Sequence, residues 1–250
     1  MSSIADKTFI LTGASGGLGR ALALELSSEV AGLVLNARGK EALERIGEEC
    51  AKKGARVEVV AGPAQAAGGS EALVEKALGL GNFRGFIHAA GVLGPGPVVH
   101  ELCAEKFREI FEASVTASFE MARAAFPRLI ESGGGVAVFF GSGAAERVMP
   151  GMGAYCAAKA AEEHLVRQLA AETPQVVSMV FRPGVVDTPM VRGVFNSAGK
   201  GADRLREEFS AFKRKGEILS AEVPARALVA ILKNDPRRFH GKIATWRDGV

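Results

Sequence analysis

Short runs of apolar, β-branched residues recur along this chain and alternate with longer stretches whose apolar residues return every three or four positions. The runs are "KTFILTG", "GLVLNAR", "RVEVVAG", "GFIHAAG", "GVAVFFGS", "VSMVFRPG" and "GKIATW"; "GRALALELSSEV" and "KEALERIGEECAKKG" are examples of what lies between. Repeated switching from strand-like to helix-like periodicity marks βαβ units. Strands that are apolar almost throughout need cover on both faces, which a parallel sheet flanked by helices supplies. The expected fold is therefore α/β, a doubly wound parallel sheet of about seven strands with helices on both faces.

A chain of 250 residues suits one such domain, and no linker divides it, so residues 1–250 are read as a single unit. One stretch breaks the alternation: "MVRGVFNSAGKGADRLREEFSAFKRKGEILS", at about residues 187–220, carries glycines, mixed charge and two phenylalanines in helical spacing. In open α/β sheets ligands bind beyond the carboxyl ends of the strands. An insertion after the sixth strand is placed to act as a substrate lid; a surface helical hairpin is the alternative.

The 31 basic and 28 acidic residues are interspersed without a basic run or interleaved aromatics, which argues against nucleic acid as a partner. The opening "MSSIADKTFILTG" has Asp6 and Lys7 where a signal peptide needs an apolar core. No apolar run approaches the roughly 20 residues needed to span a bilayer. The expectation is a soluble, cytoplasmic protein without membrane contact. Cys50, Cys103 and Cys156, and the scattered His88, His100, His164 and His240, lack metal-ligand spacing, so no metal site is expected.

The first strand runs into "TGASGGLGRA", where Gly13, Gly17 and Gly19 are spaced G-x-x-x-G-x-G. Residues without side chains let the turn tighten and let backbone approach a pyrophosphate at a helix N-terminus. The position of this turn, after a strand and before a helix, strengthens the signal. The end of the second strand distinguishes the dinucleotides: a carboxylate there binds a ribose 2′-hydroxyl, whereas this chain has Ala37 and then Arg38. A guanidinium suits a 2′-phosphate, Ser15 offers a second donor and Lys40 a further charge. The expected cofactor is NADP(H).

Tyr155, the chain's one tyrosine, precedes Lys159 by four residues in the helix-forming "PGMGAYCAAKAAEEHLVRQLAAE", so both lie on one helical face. An ammonium beside a phenol favours the phenolate and eases proton exchange. Ser142 ends "GVAVFFGS", where a hydroxyl is placed to bond a substrate oxygen. The three groups describe carbonyl reduction: Tyr155 as proton donor, Ser142 stabilising the developing alkoxide, Lys159 tuning the tyrosine.

"TGASGGLG", a serine thirteen residues before "YCAAK", and "RPGVVDTPM", in this order, resemble the short-chain dehydrogenase/reductase family over essentially the whole chain. The resemblance implies a Rossmann sheet in the order 3-2-1-4-5-6-7. It implies Ser142, Tyr155 and Lys159 as the catalytic group. Cofactor contacts would come from Gly13, Ser15, Gly17, Leu18, Gly19 and Arg38, from Ala90 and Gly91 after the fourth strand, and from Tyr155, Lys159, Pro183, Gly184, Val186 and Thr188. A homodimer or homotetramer built on the helices after strands four and five is the implied assembly. "PGVVDTPM" and the Phe- and Lys-rich insertion look like the branch containing sepiapterin reductase and fungal benzil reductase.

The chain departs from the family pattern at three places. Gly62 and Pro63 stand where an adenine-binding acid is usual; "HAAG" replaces "NNAG", with His88 and Ala89 for the asparagines; and Ser114 aligns with the catalytic asparagine. The leading expectation is an NADPH-dependent reductase of a ketone or α-dicarbonyl. Two alternatives stay open, a dinucleotide-binding sensor or scaffold with impaired turnover and an NADP-dependent alcohol dehydrogenase of a biosynthetic pathway. For His88 they are a ligand and a histidine satisfied at a strand end.

Overall fold

The computed structural model describes residues 4–249; residues 1–3 and 250 of the expected single unit lie outside the described residues. Strands β1 (Thr8–Thr12), β2 (Gly32–Ala37), β3 (Arg56–Ala61), β4 (Phe83–His88), β5 (Gly135–Phe140) and β6 (Val176–Arg182) join a late strand (Ile243–Thr245) in one seven-stranded sheet. Every pairing in it is parallel. The sequence order of the strands across the sheet is 3-2-1-4-5-6, with Ile243–Thr245 last, as the family resemblance implies. The order reverses between β1 and β4, and this opens a crevice at the carboxyl ends of the strands.

The strands are apolar throughout because both faces are covered. Phe9 and Leu11 of β1 point into a core with helices α1 (Gly17–Leu26) and α2 (Lys40–Ala51), while Ile10 points into the opposite core. That second core holds Leu73 and Val74 of α3 (Gly69–Leu80), and β5 alternates likewise, Val138 to one side and Phe139 to the other.

After β4 the chain forms α4 (Ala104–Phe111), a π-helical turn (Glu112–Thr116) and α5 (Ala117–Glu131). After β5 comes α6 (Gly153–Glu172), a 20-residue helix whose first turns carry Tyr155 and Lys159. The expected insertion consists of β7 (Val185–Val186), α7 (Pro189–Phe195), α8 (Ala202–Arg214) and β8 (Ile218–Leu219), with β7 and β8 paired in parallel. It does not stand off the surface. Val194, Leu205 and Phe209 are buried in a third core with Met149, Met152 and Tyr155, so the insertion packs directly over the start of α6. Helix α9 (Glu222–Lys233) and strand β9, which is Ile243–Thr245, complete the fold. Among the described residues no helix is long and apolar enough to cross a membrane.

Candidate active site

A cavity of about 610 Å³ opens at the carboxyl ends of the strands. The fifteen residues expected to bind cofactor or act on substrate, Ser114 apart, line it: Gly13, Ser15, Gly17, Leu18, Gly19, Arg38, Ala90, Gly91, Ser142, Tyr155, Lys159, Pro183, Gly184, Val186 and Thr188; so do Ala37, Gly62, Pro63, His88 and Ala89. Lys40 and Ser114 are not among the lining residues. Ser114 is fully buried in the π-helical turn, and its Oγ has no hydrogen-bond partner within the protein.

At one end of the cavity the turn after β1 depends on its glycines. Gly13 has φ +72°, and a Cβ there would sit 2.7 Å from the backbone nitrogen of Ala90. A Cβ on Gly19 would lie 2.0 Å from the Gly13 carbonyl oxygen, so helix α1 reaches this close to the turn only without a side chain. Gly16 caps α1 without a side-chain hydrogen bond and the first turn has no acidic residue. The helix N-terminus thus presents free N–H groups and positive potential to the cavity, which suits phosphate oxygens.

Arg38 follows β2, 70% exposed at its side chain, and its Nη1 donates to Glu109 Oε1 of α4 at 3.0 Å. Lys106 foremost holds the Glu109 carboxyl below the usual range; burial opposes it, and Arg38 adds a lesser lowering. Asn36 is buried one residue short of the strand end. Its Nδ2 donates to the Val60 and Gly62 carbonyls, closing β2 onto β3 beside the substituted position 62.

At the other end Tyr155 is 8% exposed and Lys159 3%. The Lys159 ammonium lies 5.8 Å from the Tyr155 ring centroid. It donates to the Phe140 carbonyl at 2.7 Å and to Glu162 Oε2 at 2.6 Å. Burial works against this ammonium, but the charges of Glu162, Tyr155 and Glu163 outweigh it and raise the Lys159 pKa above the ordinary lysine value. The Ser142 Oγ accepts from the Ala144 N–H at 3.1 Å, which occupies a lone pair and leaves the hydroxyl proton free for the cavity.

A second carboxylate fixes the Ser142 backbone. Glu163 Oε1 accepts from the Ser142 N–H at 3.2 Å and from Arg182 Nε at 2.9 Å, while its Oε2 accepts from Arg182 Nη2 at 2.6 Å. Gly141 leaves the room this needs, since a Cβ there would lie 2.4 Å from Glu163 Oε1.

His88 is satisfied at its strand end, although it also lines the cavity. Its Nδ1 lies 2.8 Å from Thr12 Oγ1 and its Nε2 3.1 Å from the Ala113 carbonyl. A carbonyl only accepts, so Nε2 carries the hydrogen and Nδ1 accepts from the threonine hydroxyl. Burial, aided by the Lys159 charge, lowers the His88 pKa to about 3, so the ring is neutral.

The sequence reading did not single out Thr12, Asn36, Glu109, Glu162, Glu163 or Arg182. Only the run of two acids after Lys159, on a helix otherwise rich in alanine, carried a signal for any of them.

Residues 7–198 match the family model described as short chain dehydrogenase. The chain belongs to the short chain dehydrogenase family. As a member of it, the protein is an oxidoreductase. An uncharacterized oxidoreductase of Schizosaccharomyces pombe is 30% identical over 254 residues, covering all of both chains. Sepiapterin reductase of Bos taurus is 31% identical over 240 residues, 90% of this chain and 89% of that one. The crystal structure of the KRED1-Pglu enzyme superposes with a TM-score of 0.84 at 25% identity, covering 95% of this chain and all of the other. With an uncharacterised oxidoreductase and a pterin reductase at nearly equal identity, the family is shown and the branch is not narrowed to sepiapterin and benzil reductases.

Proposed function

We propose that the protein is an NADP(H)-dependent reductase of a ketone or α-dicarbonyl, with Tyr155 as proton donor. The observation that carries this reading is that one cavity joins the phosphate-binding turn and Arg38 to Ser142, Tyr155 and Lys159. The cradle fits a dinucleotide: glycines where a Cβ would collide, an uncapped helix N-terminus, and a guanidinium without a carboxylate at the end of β2.

In the bound state the cofactor supplies hydride to the carbonyl carbon. Ser142 donates its free hydroxyl proton in a hydrogen bond to the carbonyl oxygen and holds it toward Tyr155. As the C=O π bond gives way to a C–O single bond, the Tyr155 hydroxyl releases its proton to that oxygen, and the Lys159 charge stabilises the phenolate left behind. Lys159 spends two of its three N–H groups on Phe140 and Glu162 and keeps one for a cofactor hydroxyl. Arg38 takes the 2′-phosphate in exchange for Glu109. Pro183, Gly184, Val186 and Thr188 support the nicotinamide end, with Ala90 and Gly91 opposite the phosphate turn.

The 187–220 insertion serves as the substrate lid: Met190, Val191 and Phe209 line the cavity and give it an apolar wall suited to a cyclic or aromatic substrate. That wall, together with the sepiapterin reductase relative, supports a place in the sepiapterin and benzil reductase branch. The assembly is a homodimer or homotetramer, supported by the exposed Phe119 and Ile130 on α5.

The test is loss of NADPH absorbance with aromatic α-diketones, quinones and pterin-like carbonyls, on wild type beside Tyr155→Phe. Turnover that vanishes in the variant is expected. Undiminished turnover in the variant refutes the proton-donor role, and confirmed NADPH binding without turnover on any substrate favours the sensor or scaffold reading.

A further inference from the structure

Glu162 is the most deeply buried carboxylate beside the site, with a side chain 1% exposed. Its two oxygens are both engaged: Oε2 accepts from Lys159 Nζ at 2.6 Å and Oε1 from Ser118 Oγ of α5 at 2.8 Å. The lysine it meets is itself almost wholly removed from water, with a side chain 4% exposed. A lysine in that setting loses its proton readily unless a fixed negative charge offsets the lost hydration. We propose that Glu162 is a positioning residue, which keeps the buried Lys159 in its charged form and anchors its ammonium between the Phe140 carbonyl and its own carboxylate. The proposal rests on the role of Lys159 given above.

The other charged groups around Lys159 contribute less than Glu162 and do not hydrogen-bond its ammonium. Glu163, the next residue, spends its carboxylate on Arg182 of β6 and on the Ser142 N–H, and Glu146 also answers Arg182. His88 on β4 is neutral. Tyr155, on the same helix, is the group Lys159 serves. Ser114, at the position of the family's relay asparagine, does not reach the cavity lining, and its Oγ has no partner within the protein. Glu162 and Ser118 thus supply, from behind, the polar anchorage of Lys159 that position 114 does not. Burial, with a lesser push from the Glu163 charge, raises the Glu162 carboxyl overall, while the Lys159 ammonium and the Ser118 hydroxyl oppose that rise and bond most strongly to the charged carboxylate.

The direct readout is the ¹³C resonance of Lys159 Cε in labelled protein, with and without saturating NADP+, identified by its loss in Lys159→Arg. In the wild type Lys159 is expected to stay protonated at pH 8. In Glu162→Gln its titration is expected to move down by at least about one pH unit, and Glu162→Asp, which keeps the charge, is expected to restore most of that shift. A neutral Lys159 in the wild type at pH 8, or identical titrations in wild type and Glu162→Gln, overturns the proposal. The wild-type spectrum decides the first point even if the glutamine variant does not fold. With a carbonyl substrate, kcat of Glu162→Gln is expected to fall about tenfold per pH unit above the shifted midpoint, with little change in KM. Absence of turnover in the wild type refutes the reductase reading, and the resonance still answers for Glu162.

Discussion

Replacing Glu163 by glutamine tests whether the carboxylate behind Ser142 holds the catalytic strand end in place. The substitution is nearly isosteric, yet every partner of Glu163 is a donor: Arg182 Nε and Nη2 and the Ser142 N–H. An amide faces them with one accepting oxygen and one NH₂, so a donor meets a donor wherever the NH₂ lands. The Arg182 side chain is only 15% exposed and Glu163 3%. Removing one partner of such a pair costs about 3–5 kcal/mol when nothing else compensates. Glu146 still accepts from Arg182 at 2.8 Å, from a side chain 62% exposed, which reduces the expected loss to about 2–3 kcal/mol. For a chain of this size that lowers Tm by roughly 5–10 °C at fixed protein concentration. Because the Ser142 amide loses its acceptor, kcat is expected to fall about tenfold with a smaller change in the KM for NADPH. Glu146→Gln, changed at the exposed end of the same network, is expected to move Tm by no more than about 2 °C. Thermal unfolding and initial rates on the three proteins check this. Equal, small effects of the two substitutions would refute the argument that the buried carboxylate organises the strand end.

Arg38→Ala is expected to raise the KM for NADPH about tenfold or more while leaving that for NADH nearly unchanged, and Glu109→Gln, which frees Arg38, to lower the KM for NADPH severalfold; initial rates with both cofactors check the pair. Gly19→Ala is expected to weaken NADPH binding at least about tenfold and to destabilise the fold by about 1–3 kcal/mol, read by cofactor titration and denaturant unfolding, because its Cβ would sit 2.0 Å from the Gly13 carbonyl oxygen. His88 gives a pH test. Its folded pKa, about 3, lies below the ordinary histidine value of 6.5, so the unfolded chain binds the extra proton. Stability from this group is therefore complete above pH 6.5 and is lost as the pH falls toward 3, by up to about 1.4 kcal/mol per pH unit. His88→Asn is expected to flatten that part of the stability profile between pH 6 and 4, measured by urea unfolding at each pH.

The sheet is legible in the sequence because a strand buried on both faces must be apolar at every position, and a run such as "GVAVFF" has few other solutions. The glycine turn is legible for a similar reason, since close backbone approach demands a missing side chain at Gly13 and Gly19. The groups that hold the site are not. "AAEEHLV" reads as a helix with charges facing water, and only the fold places Glu162 opposite Ser118, 44 positions earlier, and Glu163 against Arg182, 19 positions later. Arg38 is legible as a cation at the right strand end, but its pairing with Glu109, 71 positions away, depends on where α4 docks. The seventh strand is visible in "GKIATW", although only Ile243–Thr245 pairs.

The substitutions at His88 and Ser114, separate departures when read along the chain, are joined in the structure. The π-helical turn at 112–116 carries the Ala113 carbonyl to the His88 Nε2–H, while the other ring nitrogen takes the Thr12 hydroxyl. One imidazole therefore ties the end of β1 to the turn on which Ser114 lies. An asparagine side chain is shorter than an imidazole and does not present two nitrogens on opposite sides of a rigid ring. The histidine thus fixes the turn from the sheet side, while Glu162 and Ser118 fix Lys159 from the α5 side. Exchanging Ser114 alone for asparagine is then expected not to raise kcat, because the buried side chain would have to enter a layer already closed by His88. Initial rates of Ser114→Asn beside the His88→Asn, Ser114→Asn double variant check this, and a gain in the single variant would show that position 114 still opens to the reacting groups.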